Sequence, residues 1–334
     1  MNALIFRKTG QPTEVLEVSK QEQPTPGPGE VLVRILLSPV NPSDLHMIRG
    51  RYGYQPALPA SPGAEGVGIV EKCGTGVTEL PVGARVVFLR TWNLWRDYVI
   101  ARPEDLVKVP ESLDDETAAM SYTNPLAAWA LTRSSHQLRK EDWLLQTAAA
   151  SSVGKLVLQL ARVYGFRTIN VIRRREQEPV IRSFGGDELI CTADEDMRAR
   201  IADLTNGVGV ERAIDCVAGE LAADIARSLA PNGKLLIYGA LSSHRQTDPI
   251  KFTIPIFSPQ LIYSMATVQG WWIWRWASAQ STTDLRAAMT EVLALIEQRK
   301  LTLPEATVFS IEQYREALQL ADGQAGDRKI LLKF

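Results

Sequence analysis

The sequence predicts an α/β fold, a doubly wound parallel sheet inserted in a β-rich domain. Three observations carry this. Residues 1 to about 120 hold short β-branched runs separated by Pro and Gly, the pattern of a β-rich domain. Beyond about residue 121, strand-like apolar runs alternate with helical patterns, which implies parallel strands joined by crossover helices. One of those strand-to-helix joints, residues 146–154, consists almost wholly of small residues.

In the first part, residues 2–6, 30–37, 66–73 and 84–89 read as strands, and the Pro/Gly-dense segment 23–29 as a connector. Ser43 and Asp44 offer N-caps for a short helix over 45–49, which Gly50 closes. In the second part, strands are predicted at 143–145, 168–172, 188–190, 212–216, 234–238 and 266–269, with a helix over 153–164. An amphipathic helix over 285–298 and a strand over 329–334 follow, and that last strand could return to the first domain's sheet. The expected organisation is therefore 1–121, then 122–270, then 271–334 completing the first domain.

With 334 residues, 45% of them hydrophobic and 22% charged, the chain can bury two ordinary cores. The net charge is −1 and no basic run exceeds Arg173-Arg174-Arg175, which argues against a nucleic-acid face or a polybasic membrane anchor. No apolar stretch is long enough to span a bilayer. Cys73, Cys191 and Cys216 are scattered thiols, the usage of a reducing compartment, and the chain starts in a strand-like run with no leader ahead of it. A cytoplasmic protein is expected. His46, His136 and His244 are isolated from one another and read as structural.

The small-residue joint is the first chemical signal. In a dinucleotide-binding fold the first strand feeds a tight turn that opens a helix, so that backbone and helix N-terminus can approach a pyrophosphate. Here the usual three glycines are reduced to Gly154, with Ala148 and Ser151 at the other small positions. Ser151 and Ser152 can cap the helix or donate to phosphate, and Val153 starts its apolar face. An ordinary strand-to-helix turn would read the same way. The next strand runs into Arg173, Arg174 and Arg175 with no acid before Glu176. A carboxylate there would hold two ribose hydroxyls, whereas arginine pairs with a 2′-phosphate, so the expected cofactor is NADPH. The competing reading is a solvated surface run.

Several segments then form a recognisable series: 39–44 (PVNPSD), 49–53 (RGRYG), 58–59 (LP), 62–66 (PGAEG), 124–129 (NPLAAW), 167–171 (RTINV), 238–242 (YGALS) and 270–272 (GWW). In this order they resemble the quinone oxidoreductase branch of the zinc-independent medium-chain dehydrogenases/reductases, most nearly its 2-enoyl thioester reductases such as trans-2-enoyl-CoA reductase. The resemblance implies a GroES-like catalytic domain with an inserted Rossmann NADPH-binding domain and a cleft between them. It also implies a small-molecule substrate, and a homodimer joined through the edge strand near 266–269. Tyr52 matches the tyrosine those reductases use as proton donor, and an ordinary phenol is protonated at neutral pH. A tyrosine also occurs at about this place in quinone oxidoreductases, where it walls the pocket. Asn41 and Asn124 would lie near the nicotinamide, or serve as Asx-turn residues ahead of their prolines. Tyr238 would border the cofactor. Trp271, Trp272, Trp274 and Trp276 could line an apolar slot, with Trp272 the best pocket candidate, or simply pack.

The zinc enzymes of this fold place a Cys and a His where this chain has Asn41 and Ala64, so no catalytic zinc is expected. No cysteine falls between Cys73 and Cys191 to build a structural zinc lobe. Glu65 reads as a hydrogen-bonded structural residue. The function expected is NADPH-dependent reduction of an activated carbon–carbon double bond, with an enoyl thioester favoured. A quinone or alkenal reductase, or a non-catalytic NADPH-binding protein, are the alternatives.

Overall fold

The computed structural model describes residues 1–243, 249–323 and 328–334. Two compact units account for them: residues 1–126 with 277–334, and residues 127–276. The crossings fall five and six residues later than the sequence suggests, within the helices Thr123–Trp129 and Ile273–Ala279. Periodicity places a boundary at the nearest turn, but here continuous helices carry the chain across.

The first unit holds nine strands among the described residues: β1 (Asn2–Phe6), β2 (Leu16–Lys20), β3 (Val31–Pro39), β4 (Val67–Cys73), β5 (Arg85–Phe88), β6 (Tyr98–Ala101), β7 (Leu106–Lys108), and two late ones. The later helix Thr282–Glu297, capped by the Ser281 hydroxyl, precedes those two, Ala306–Ser310 and Lys329–Lys333. The final strand pairs antiparallel with β3 and parallel with Ala306–Ser310, so the C-terminus does return to the first domain's sheet. Leu4, Phe6, Leu45, Met47, Ile48 and Trp95 pack with Ile330 and Leu332 in one core, so this unit needs both ends of the chain.

The second unit is a six-stranded, fully parallel sheet. Its strands are β8 (Trp143–Gln146), β9 (Arg167–Ile172), β10 (Glu188–Cys191), β11 (Val210–Asp215), β12 (Leu229–Ile237) and β13 (Thr267–Gly270). The two late strands of the first unit are accordingly β14 and β15. The spatial order β10-β9-β8-β11-β12-β13 reverses direction between β8 and β11, the arrangement of a Rossmann sheet. The central strands, buried on both faces, are the near-continuous apolar runs that make them legible in the sequence, whereas the edge strand β13 is largely exposed. β12 begins earlier than expected because Pro231-Asn232-Gly233 reads as a turn. The structure instead carries the strand through it with an irregularity in its pairing to β11, and Asn232 takes a left-handed φ of 60°.

Candidate active site

Two groups of residues, one in each unit, have the chemistry of a site. In the Rossmann unit, the turn after β8 delivers the chain into the helix Ser152–Tyr164, whose N-cap Ser151 accepts the Gly154 N–H at 3.2 Å. Ala148 stands in the left-handed region (φ 45°), a conformation more usual for glycine, and so performs the tight turn without one. Gly154 cannot be replaced on steric grounds. A Cβ there would lie 2.4 Å from the Ala149 carbonyl oxygen, so the helix approaches the turn as closely as a dinucleotide loop requires. Ser152 and Val153 form the exposed-to-half-buried first turn of that helix, where free N–H groups favour an anion.

The turn is braced from behind. Gln146, fully buried, donates to the Gly154 carbonyl (3.3 Å) and to Asn170 of β9 (2.8 Å). Asn170 donates in turn to Thr168 and to the Glu188 carbonyl of β10. At the point where strand order reverses, the Thr147 hydroxyl donates to Asp215 at 2.6 Å, and the second Asp215 oxygen accepts the Ala218 N–H at 2.7 Å. Burial raises the Asp215 carboxyl above its ordinary value, opposed by these hydrogen bonds. Thr147 and Asp215 thus pin the carboxyl ends of β8 and β11 together at the Rossmann switch point. Sequence reasoning missed both, since nothing local distinguishes a buried strand-end aspartate from an exposed one.

Beyond β9, Arg175 is ion-paired with Asp194 (2.8 Å) and Glu195 (2.9 Å), and that hydrogen bond holds Asp194 below the usual carboxylate range. Arg173 and Arg174 are exposed and make no side-chain hydrogen bond or ion pair among the described residues. The three arginines are therefore not equivalent: two face solvent and the third already has counter-ions.

Tyr238 follows β12, and its hydroxyl is buried beside the Cys216 thiol. Burial raises both groups, the thiol to about 12, so Cys216 is no thiolate nucleophile. Of the tryptophans, Trp271 donates to Ser135 (2.9 Å), Trp276 donates to Ser134 (3.1 Å), and Trp274 is buried. These three serve packing, whereas Trp272 is half-buried just past β13. His136 is held neutral, its pKa lowered to about 4 chiefly by burial, with a ring nitrogen 3.0 Å from the Ala213 carbonyl. His46 lies in the last turn of the helix Pro42–Ile48, and His244 lies outside the described residues.

In the GroES-like unit, the helix Pro42–Ile48 is capped by Asn41 rather than by Ser43 or Asp44. Pro42 explains the difference: it takes the first helical position, where its missing N–H costs nothing. Asp44 becomes the third residue and accepts the Asn41 backbone N–H at 2.9 Å. Gly50, at φ 74°, ends the segment and releases the chain toward Tyr52. Tyr52 is half-buried against the apolar core, its ring edge-on to Trp92 with centroids 6.0 Å apart.

Beside this helix sits a buried polar network. The Asn41 amide donates to Glu65 at 2.8 Å and its oxygen accepts from the Lys329 ammonium. The other Glu65 oxygen accepts the Thr123 N–H at 2.7 Å, at the N-terminus of the helix that carries Asn124, where negative charge is favourable. Burial raises Asp44 to about 7 and lowers Lys329, each opposed by the other's charge. Asn41 is thus held at both ends of its amide, and Asn124 is half-buried on the helix that Glu65 anchors. A zinc ion does not fit here. Asn41 and Ala64 offer no thiolate or imidazole, and an ammonium already neutralises Glu65. Among the described residues no cluster of three or more His, Cys, Asp or Glu could hold a metal, and no helix is long and apolar enough to cross a membrane.

Comparison with known proteins agrees with this geometry. Residues 27–111 match the alcohol dehydrogenase GroES-like domain, and residues 152–298 match the zinc-binding dehydrogenase family. The chain is 31% identical over 338 residues to a mitochondrial enoyl-[acyl-carrier-protein] reductase of Xenopus tropicalis, covering 98% of this chain and 94% of that protein. Among solved structures, a Bacillus thuringiensis protein assigned as an NADPH:quinone reductase superposes with a TM-score of 0.89 at 31% identity, covering 100% of this chain and 98% of that one. A mycobacterial protein solved in complex with NADPH superposes with a TM-score of 0.84 at 25% identity, covering 100% of both chains.

Proposed function

Because the chain belongs to the medium-chain dehydrogenase/reductase family and is an oxidoreductase of that kind, we propose that it reduces an activated carbon–carbon double bond, with an enoyl thioester as substrate and NADPH as reductant. The observation that carries this reading is the similarity to enoyl-[acyl-carrier-protein] reductases over nearly the whole chain, and in it we take Tyr52 as the proton donor. When bound, the dinucleotide supplies a hydride. The Ser151-capped helix and the turn through Ala148 to Gly154 would hold its pyrophosphate and Arg173 and Arg174 its 2′-phosphate, with Tyr238 a further candidate in the same unit and Asn124 a candidate for the nicotinamide by resemblance. A thioester carbonyl makes its own β-carbon electrophilic, so hydride addition leaves an enolate on the substrate. The Tyr52 phenol then donates its proton to the α-carbon. Asn41, buried and held at both ends of its amide by Glu65 and Lys329, serves that network rather than the substrate, and Trp272, half-buried, stays the candidate substrate contact in this reading.

Turnover of crotonyl-CoA, 2-hexenoyl-CoA and a simple quinone under one set of conditions tests it. Preference for the thioesters is expected. Quinone turnover alone would establish the quinone-reductase reading that the structural neighbours favour, and no turnover of any would leave an NADPH-binding protein.

Cofactor choice has its own test. NADPH should bind at least tenfold more tightly than NADH, since each bidentate contact to a phosphate contributes roughly 1.5–3 kcal/mol. Replacing both Arg173 and Arg174 by Ala should erase the preference, whereas Arg175→Ala, which removes a residue already paired, should leave most of it. Fluorescence titration giving equal affinities for the two cofactors in the wild-type protein would show that the arginines only face solvent.

The three free thiols fit a reducing, cytoplasmic setting. A homodimer is also part of the proposal. Among the described residues β13 has a neighbour on one side only, and Phe257, Ile262, Tyr263 and Met265 leave an apolar patch just before it, Tyr263 being 86% exposed. A bare edge with such a patch would invite aggregation unless covered. Light scattering at micromolar concentration should give a two-chain mass, and Ile262→Asp with Tyr263→Asp should give a one-chain mass. A wild-type monomer would refute the assembly.

A further inference from the structure

The GroES-like unit contains a cavity of about 250 Å³ that uses neither Tyr52 nor the nucleotide turn. Its apolar wall comes from Met47, Pro56 and Ala60, and its aromatic wall from Trp92 with Tyr54 stacked on it at 5.1 Å. Its polar lining is Arg96, Asn93 and Ser61, whose hydroxyl already donates to the Trp95 carbonyl at 3.3 Å. Among the described residues the buried Arg96 Nε has no hydrogen-bond partner and the guanidinium no ion pair. Its proton affinity is lowered by burial alone, with no carboxylate contributing. The Asn93 amide oxygen is likewise buried without a partner, on a residue in the left-handed region at φ 68°.

Buried polar groups are ordinarily satisfied, and a half-buried arginine with no counter-ion is costly. A guanidinium presents a planar fork that matches a carboxylate through two parallel bonds, and an aromatic wall suits a flat or apolar body attached to it. We propose that this cavity is a binding site for a small organic carboxylate, held by Arg96, with its apolar body along Trp92 and a donor group of its own facing Asn93. The volume lies below the roughly 300–1,000 Å³ of sites for drug-sized ligands, so the occupant is small. A lone arginine balances a single negative charge, which favours a carboxylate over a phosphate dianion. The proposal does not depend on the reductase reading.

Isothermal titration with benzoate, benzamide and phenyl phosphate, on the intact protein without nucleotide, tests it. Benzoate should bind saturably, benzamide at least tenfold more weakly, and phenyl phosphate more weakly than benzoate. Arg96→Met should weaken benzoate at least tenfold while leaving the unfolding temperature equal or higher, because it removes a buried, unpaired charge. A purely structural arginine would instead lower that temperature on replacement. Arg96→Lys keeps the charge without the fork and should also lose most of the affinity. Equal binding of benzoate and benzamide, or full benzoate affinity in Arg96→Met or Arg96→Lys, would overturn the site. Phenyl phosphate binding as tightly as benzoate would overturn the carboxylate assignment.

Discussion

Tyr52→Phe should bind NADPH as the wild-type protein does and yet turn over an enoyl thioester about 10²–10⁴-fold more slowly, the usual worth of a positioned general acid. The substitution keeps the ring, and with it the edge-on contact to Trp92 and the packing against the core, while removing the proton the side chain can donate. Quinone reduction, which needs no proton placed on a carbon atom, should change far less. The pair of substrates separates chemistry from structure, because lost packing would slow both alike. Retention of more than about a third of the enoyl reductase rate, far outside the range for a general acid, would remove Tyr52 from that role. The phenol would then be a pocket wall.

The second large effect concerns stability. Lys329→Met should destabilise the protein by about 3–5 kcal/mol at pH 8, the usual cost of leaving buried partners without their counter-charge. Asp44 and Glu65 lose the ammonium that now opposes their burial, and the Asn41 amide oxygen loses its donor. The dependence on pH follows from the sign of the Asp44 shift. Its folded-state value is raised to about 7, so its stabilising contribution is complete below the ordinary carboxylate range near 3.8 and is lost as the pH rises through about 7. Removing the lysine raises that value further, so the deficit should shrink toward pH 5 and be largest at pH 8. Denaturant melts of wild type and variant at the two values measure this. A deficit independent of pH would show that Lys329 acts through packing alone. Restoring part of the stability at pH 8 with a second change, Glu65→Gln, would identify the unpaired charge as the cause.

Much of the molecule is legible in its sequence. The inner Rossmann strands appear as apolar runs because parallel strands are buried on both faces, and the helix Ser152–Tyr164 appears because its buried positions recur at helical spacing between a serine cap and Gly165. The small-residue turn and the Tyr52 segment are equally local patterns, readable because the chemistry they serve constrains neighbouring residues. The return of the last strand to the first sheet was visible only as an unpaired apolar run at the end of the chain, with its register against β3 left open.

Tertiary structure decided the rest, and it did so wherever the partner is distant in sequence. Asn41 and Lys329 are 288 residues apart, and only the pairing of β15 with β3 brings them together; with them come Glu65 and the raised Asp44. Thr147 and Asp215 meet because β8 and β11 are neighbours in a sheet whose order no local pattern reveals. Arg173, Arg174 and Arg175 are identical as letters, but Asp194 and Glu195, beyond a separate strand, take the third out of the set. Arg96 likewise looks like any surface arginine until the fold buries its Nε without a partner. Periodicity and turn chemistry act over a few residues and set the elements, whereas charge, burial and hydrogen bonding depend on distances through space, which only the packed chain defines.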